Sequence, residues 1–146
     1  MTNRALLSLD HPMALSEVTK QILAGGEGRR VEYKTKVTQE FNEILVAFAN
    51  GDGGTCVLGV EDAQDETGKH TGHVVGIEAS DRTRGQIQSR ADGTQEPIEI
   101  LIKSETDQDG RGIYIVTIAE YTHKPYCTGG GRYLVRRDGQ NRSIYP

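Results

Sequence analysis

Residues 38–60 read TQEFNEILVAFANGDGGTCVLGV, and the two halves of this stretch carry different periods. Phe41, Ile44, Leu45 and Phe48 fall at i, i+3, i+4 and i+7, one apolar stripe on a helix that faces a core. Thr38 is placed to cap its start. Asn50-Gly51 is placed to stop it, because both residues tolerate the left-handed conformation. From Gly54 to Val60 the apolar residues are nearly continuous, as in a strand covered on both faces. The stretch therefore predicts a helix, a tight glycine turn and a buried strand.

Upstream, Arg30 to Lys34 alternates and reads as a short strand. Ser16 is an N-cap candidate with Glu17 in the first turn. Val18, Ile22 and Leu23 follow at helical spacing, and Gly25-Gly26 ends that helix. The first fifteen residues have no clear period and are read as an arm or docking segment, with residues 16–146 as one domain. Downstream, Glu61-Asp62 opens an acidic loop to Gly72, and Val74 to Ile77 is a short return strand. Asp81 to Arg90 is a polar surface helix. Ile98, Ile100 and Ile102 alternate after Pro97, Asp109-Gly110 signals a turn, and Ile113 to Ile118 is the partner strand. Lys124-Pro125-Tyr126 breaks the regularity, Gly129 to Gly131 makes a flexible tip, and Arg132 to Arg137 is a last strand. The whole is an α+β pattern: a mixed β-sheet with late hairpins packed against two or three helices.

The chain has 146 residues, enough to bury a real core. Its 35% apolar content includes no run near the ~20 residues of a spanning helix, and no secretory leader is evident. Cys56 and Cys127 cannot make a four-thiolate zinc site and read as reduced thiols of a cytoplasmic protein. An aromatic content of 5% leaves little for base stacking. The net charge of -4 is unevenly spread. Val60 to Gly110 carries 12 acids against 5 Lys+Arg, or -7, and Thr122 to Pro146 carries 5 Lys+Arg against Asp138, or +4. Arg29, Arg30, Lys34 and Lys36 form a second basic cluster. Two such clusters either coat the surface or make one face for phosphates.

Several common sites are excluded by order and spacing. Gly51 to Gly54 links a helix to a strand, the reverse of a phosphate loop, and no Gly-Lys-Ser/Thr is present. His70 and His73 lack a second ligand pair for zinc, and His123, beside Lys124 and Cys127, lacks the serine or carboxylate neighbours that would define a local nucleophilic triad. The remaining set is Glu27, Glu32, Lys34 and Asp62. Hard divalent cations take oxygen ligands, and a phosphodiester needs its charge neutralised while water attacks. Glu32 and Lys34 share a strand face. Five extended residues span ~16 Å, so Glu27 joins them only if the chain bends near Gly28. From the residues alone, a salt-bridged surface set with a turn aspartate is the plainer reading and a catalytic centre the sharper one.

The order of short motifs resembles the Schlafen-type AlbA-like domain. It runs Glu32-Tyr33-Lys34, Ala47-Phe48-Ala49-Asn50 with Gly53-Gly54, and Leu58-Gly59-Val60-Glu61-Asp62 with Gly72. Pro97, the strand around Ile115, Lys124-Pro125-Tyr126 and Arg132-Tyr133-Leu134-Val135-Arg136 with Gly139 extend it from roughly Glu27 to Arg142. The resemblance implies an AlbA-like α+β fold and association with nucleic acid, RNA ahead of DNA. Bacterial members often open longer transcriptional regulators, some labelled ATP-binding. Some animal members are metal-dependent endoribonucleases that cut transfer and ribosomal RNA, and their three carboxylates match Glu27, Glu32 and Asp62. It thus implies a Mg²⁺ or Mn²⁺ site on Glu27, Glu32 and Asp62, with Lys34 neutralising phosphate. Within the two basic clusters, the residues expected to contact nucleic acid are Arg29, Arg30, Lys124, Arg132, Arg136 and Arg137. Those nucleases use two lobes in one chain, and here a homodimer is the expected substitute. The loop from Ala63 to His73 is long for the family, and 81–96 is more polar than its usual helix. The alternatives are a non-catalytic DNA-binding or regulatory module and a nucleotide-binding or interaction domain.

Overall fold

The computed structural model describes residues 15–106, 110–121, 125, 127–137 and 139–143. The expected arm, apart from Leu15, and Asp109, Lys124 and Tyr126 lie outside them. Three helices and nine strands form among the described residues. They are α1 (Glu17–Gly25), β1 (Val31–Lys34), α2 (Gln39–Asn50), β2 (Gly54–Leu58), β3 (Val60–Gln64), β4 (His70–Val74), β5 (Ile77–Glu78), α3 (Asp81–Asp92), β6 (Ile100–Thr106), β7 (Arg111–Ile118), β8 (Leu134–Arg137) and β9 (Gln140–Ser143). The protein is α+β, and its main sheet is mixed. β1 runs parallel to β2 through the α2 crossover, β2 runs antiparallel to β7, and β7 also pairs with β5 and β6.

Strand alternation sends side chains to two cores. Cys56, Leu58, Tyr114, Val116 and Ile118 face α2, where Phe41, Ile44, Leu45 and Phe48 are fully buried. The predicted stripe is thus the principal contact of the sheet. α3 adds Ile87 and Ala91 to the same side. On the other face Tyr33, Val57, Val60, Ile113 and Ile115 meet Leu23 of α1. Ser16 caps α1 through Thr19 N–H, and its own N–H donates to Glu105 Oε1 at 2.8 Å, which ties α1 to β6. Among the described residues no helix is long and apolar enough to cross a membrane.

Three expectations are corrected. The apolar run from Gly54 to Val60 is two strands, because Gly59 (φ +89°) turns the chain out of the sheet. A Cβ at Gly59 would lie 2.9 Å from the Gly112 carbonyl oxygen, so only glycine allows the departure. The acidic loop is the hairpin β3–β4, closed by Asp65, whose Oδ1 accepts from Thr67 N at 2.8 Å and Lys69 N at 2.9 Å. The single return strand over Val74 to Ile77 is likewise divided: β4 ends at Val74, and β5 starts at Ile77 beyond Gly76 (φ +78°). Gly129 and Gly130 do form a turn ahead of the last predicted strand, which starts at Leu134 and not at Arg132. The chain then turns again at Gly139 and returns as β9, a strand with no apolar residue to announce it.

Candidate functional site

Gly28 N–H donates to the Val31 carbonyl at 2.9 Å and closes a tight turn just before β1. This is the bend that the spacing of Glu27 and Glu32 requires. Glu27 folds back, and its Oε2 accepts from the Tyr33 backbone N–H at 2.8 Å. Glu32 and Lys34 leave β1 on the α2 face, opposite Tyr33. Lys34 Nζ lies 3.0 Å from Glu40 Oε2 and 3.6 Å from Glu32 Oε2.

Arg136 reaches this face from β8. Leu134 and Arg136 point inward together, and the Arg136 side chain is only 3% exposed. Its Nη1 donates to Glu32 Oε1 and, at 2.8 Å, to Asn141 Oδ1. Its Nη2 donates to the Gly28 carbonyl at 2.7 Å and the Val31 carbonyl at 3.2 Å. The guanidinium carbon sits 4.9 Å from the centre of the Phe48 ring, a cation–π contact. Among the described residues, Arg136 Nε is the side-chain polar atom left buried without a hydrogen-bond partner. The residue is an interior clamp between β1, the Gly28 turn and α2, and its charge is spent on Glu32.

Glu27, Glu32, Lys34, Arg136, Gly139, Gln140 and Asn141 line a cleft of about 410 Å³. Asp62 is not in its lining. It stands on β3, where its Oδ2 lies 2.8 Å from His70 Nδ1. Its charge is nevertheless felt: burial, then the charges of Glu32 and Asp62, push the Glu27 carboxyl above its ordinary range against the lowering effect of the Tyr33 N–H. Burial would depress Lys34, but the bond to Glu40 and the charges of Glu32, Glu40 and Glu27 outweigh it and hold the ammonium above its usual value. Burial and the Glu27 charge push the Tyr33 phenol up to about 12.

As held, these carboxylates do not fit a hard divalent cation. Glu32 is engaged by Arg136 and Lys34 and Asp62 by His70, and among the described residues no three His, Cys, Asp or Glu side chains converge on one point.

Of the other basic residues singled out in the sequence, Arg29 pairs with Asp52 and Arg132 Nη1 lies 2.7 Å from Glu43 Oε2. Arg30 and Arg137 are exposed. The two basic clusters do meet. A Cβ on Gly139 would contact Gly28 at 3.5 Å, so the β8–β9 turn abuts the loop that carries Arg29 and Arg30. The sequence reading missed Gln140 and Asn141 as cleft residues and assigned no strand there. The available signal was the i, i+2 pair Leu134 and Arg136, which puts the arginine on the face of a core leucine.

The fold is similar to that of the N-terminal domain of a Nitrosomonas europaea protein described as related to the ATP-dependent DNA helicase RecG. The identity is 26%, over 82% of this chain and 85% of that one, with a TM-score of 0.59. The DIP2311 protein of Corynebacterium diphtheriae is 16% identical over 99% of this chain, with a TM-score of 0.52. This chain spans only 27% of that protein, and the likeness concerns the fold. Comparison with curated protein sequences gives no match. The profile of the Schlafen, AlbA_2 family matches residues 27–145, most of the length, and the chain belongs to that family.

Proposed function

We propose that this is a nucleic-acid-binding domain that takes RNA ahead of DNA, with the β8–β9 hairpin and the 26–30 loop as its contact surface. One observation carries the reading: basic residues about a hundred positions apart in sequence are joined at the Gly28–Gly139 contact. Among the described residues Arg30, Arg137 and Arg142 make no ion pair there. Directly opposed residues of an antiparallel ladder share a face. Val135 and Arg142, in the alternate pair of the ladder, therefore point away from buried Arg136 and half-buried Asn141, and Arg137 and Gln140 do the same on the other side of that pair. Exposed guanidinium groups on a ribbon suit phosphates as planar two-point donors. Family membership and the helicase-related neighbour support a partner of this class.

The test is binding of labelled transfer RNA and duplex DNA across a salt series. Replacing Arg137 and Arg142 by Gln is expected to weaken binding and to lower the salt slope by about 0.7–0.9 for each lost phosphate contact. Binding that ignores salt, or that is unchanged in the double variant, overturns the assignment.

A second reading is a Mg²⁺- or Mn²⁺-dependent endoribonuclease. It is supported by the crowding of Glu27 by Glu32 and Asp62, a repulsion that a divalent cation relieves. It requires Glu32 to leave Arg136, and no hydrolytic step is assigned to the set as it stands. Incubating transfer RNA with and without Mn²⁺ tests it. Metal-dependent cleavage that disappears in Glu32→Gln and Asp62→Asn supports it, and intact RNA in every condition rejects it.

A further inference from the structure

A second cleft, of about 390 Å³, opens between the first turns of α2, the end of α3 and the loop 128–132. The loop sequence is Thr-Gly-Gly-Gly-Arg, and it is closed on itself. Thr128 N–H donates to the Arg132 carbonyl at 2.9 Å, Gly131 N–H to the Thr128 carbonyl at 2.9 Å, and Arg132 N–H to Thr128 Oγ1 at 3.0 Å. Gly129 is seated against the end of α3 so closely that a Cβ would lie 2.6 Å from the Gly93 carbonyl oxygen. A backbone brought in this way, with no side chain over it, exposes its amides. The N–H groups of Gly129 and Gly130 have no protein partner among the described residues.

Two guanidinium groups line the same cleft. Arg90 Nη1 donates to Asn42 Oδ1 at 3.1 Å and has no carboxylate in ion-pair range among the described residues. Arg132 is held by Glu43 in an exposed pair, the kind worth least in water. The lining contains no aromatic or large apolar side chain, so nothing is present to hold a base or a hydrocarbon. The lining thus holds two planar cations and two amides without a protein partner among the described residues, donor types that recognise a tetrahedral oxyanion.

We propose that this cleft is a phosphate-binding subsite, in which Arg90, Arg132 and the Gly129 and Gly130 amides hold one phosphate group. Glu43 is its built-in competitor, since the incoming anion must displace that carboxylate from Arg132. The phosphate comes from the backbone of a bound nucleic acid or from a free nucleotide; the first source rests on the function proposed above, and the second does not.

Amide spectra of the whole chain titrated with inorganic pyrophosphate test the subsite. Saturable shifts are expected at Gly129 and Gly130. Arg132→Gln weakens the response about tenfold or more, the worth of a charge-assisted bond. Glu43→Gln does the reverse and tightens it about threefold, because it removes the competitor. A gain of affinity cannot arise from misfolding. Absence of saturable shifts, or shifts that both variants leave unchanged, overturns the proposal. A parallel titration with labelled single-stranded RNA separates the sources. RNA affinity that follows the pyrophosphate order across the variants assigns the subsite to the backbone. A pyrophosphate response in a protein that binds no nucleic acid supports the subsite through a free nucleotide and rejects the function proposed above.

Discussion

The ribbons β3–β4 and β8–β9 both stand outside the five-stranded sheet, yet they are attached to it by different means. A two-stranded ribbon alone is marginal in water. β8–β9 is fastened by inward side chains, Leu134 and Arg136, and the arginine bridges Glu32, two carbonyls and an aromatic ring. β3–β4 buries fully only Val60 among its side chains and is fastened by close backbone approach. A Cβ at Gly72 would lie 2.8 Å from Leu23 Cδ2 and 2.9 Å from Tyr33 Cζ, and one at Gly26 would lie 2.5 Å from the His70 carbonyl oxygen. One ribbon therefore depends on a charge taken inside, and the other on side chains that are missing.

The sharpest way to break this contrast is Glu32→Ala. It leaves the Arg136 guanidinium buried without its counter-charge, and a loss of about 3–5 kcal/mol is expected in denaturant unfolding. A loss no larger than that of a surface substitution would mean that the arginine swings out to solvent. Adding bulk tests the other ribbon. Gly72→Ala drives a methyl group into Leu23 and Tyr33, and Tyr33 is fixed by its hydroxyl bond to the Ile22 carbonyl at 2.6 Å. It is expected to cost about 1–3 kcal/mol, with hydrogen exchange accelerated in β3–β4 and unchanged in β8–β9.

A smaller effect comes from Glu27, between the two ribbons. Its folded carboxyl titrates above the unfolded value, so the folded chain favours the protonated form. The stability from this group is full at low pH and is lost as pH rises through the carboxylate range. Glu27→Gln keeps an acceptor for Tyr33 N–H, and is expected to raise the melting temperature at neutral pH and to lose that advantage on acidification. An advantage that persists in acid would point to a cause other than this carboxyl. The least change is expected from Asp62→Asn, whose partner His70 is exposed: under about 1 kcal/mol in thermal unfolding. A larger loss would show that the acidic ribbon has an ionic anchor after all.

What was legible in the sequence follows the same division. The α2 stripe, the buried β2 and the alternation of Ile100 and Ile102 are written in apolar periodicity, and the structure keeps all three. The β3, β4 and β9 strands have no such period, because ribbons covered on one side by a few contacts need few apolar residues. Gly59 did carry a signal, a glycine inside an apolar run, which marks a break or a close approach. Arg136 misled for a different reason. A charge next to Arg137 reads as surface, and only the burial of Leu134 two residues earlier contradicts it. The joining of Glu27 to Glu32 rests on one turn hydrogen bond, which no spacing rule contains.

The neck at Gly59 has a wider consequence. Val75 and Gly76 N–H both donate to the Gly59 carbonyl, at 2.9 and 2.8 Å, so the chain leaves and re-enters the sheet at a single closed gate. Beyond it β5 takes up the pairing of β7 at Gly112 and Arg111, where β2 leaves off at Tyr114. The central ladder is thus continuous across the excursion. The pairing of the central ladder therefore does not run through the segment from 60 to 74, and that segment serves the sheet by what it lays on the second face, Val60 and the bare Gly72.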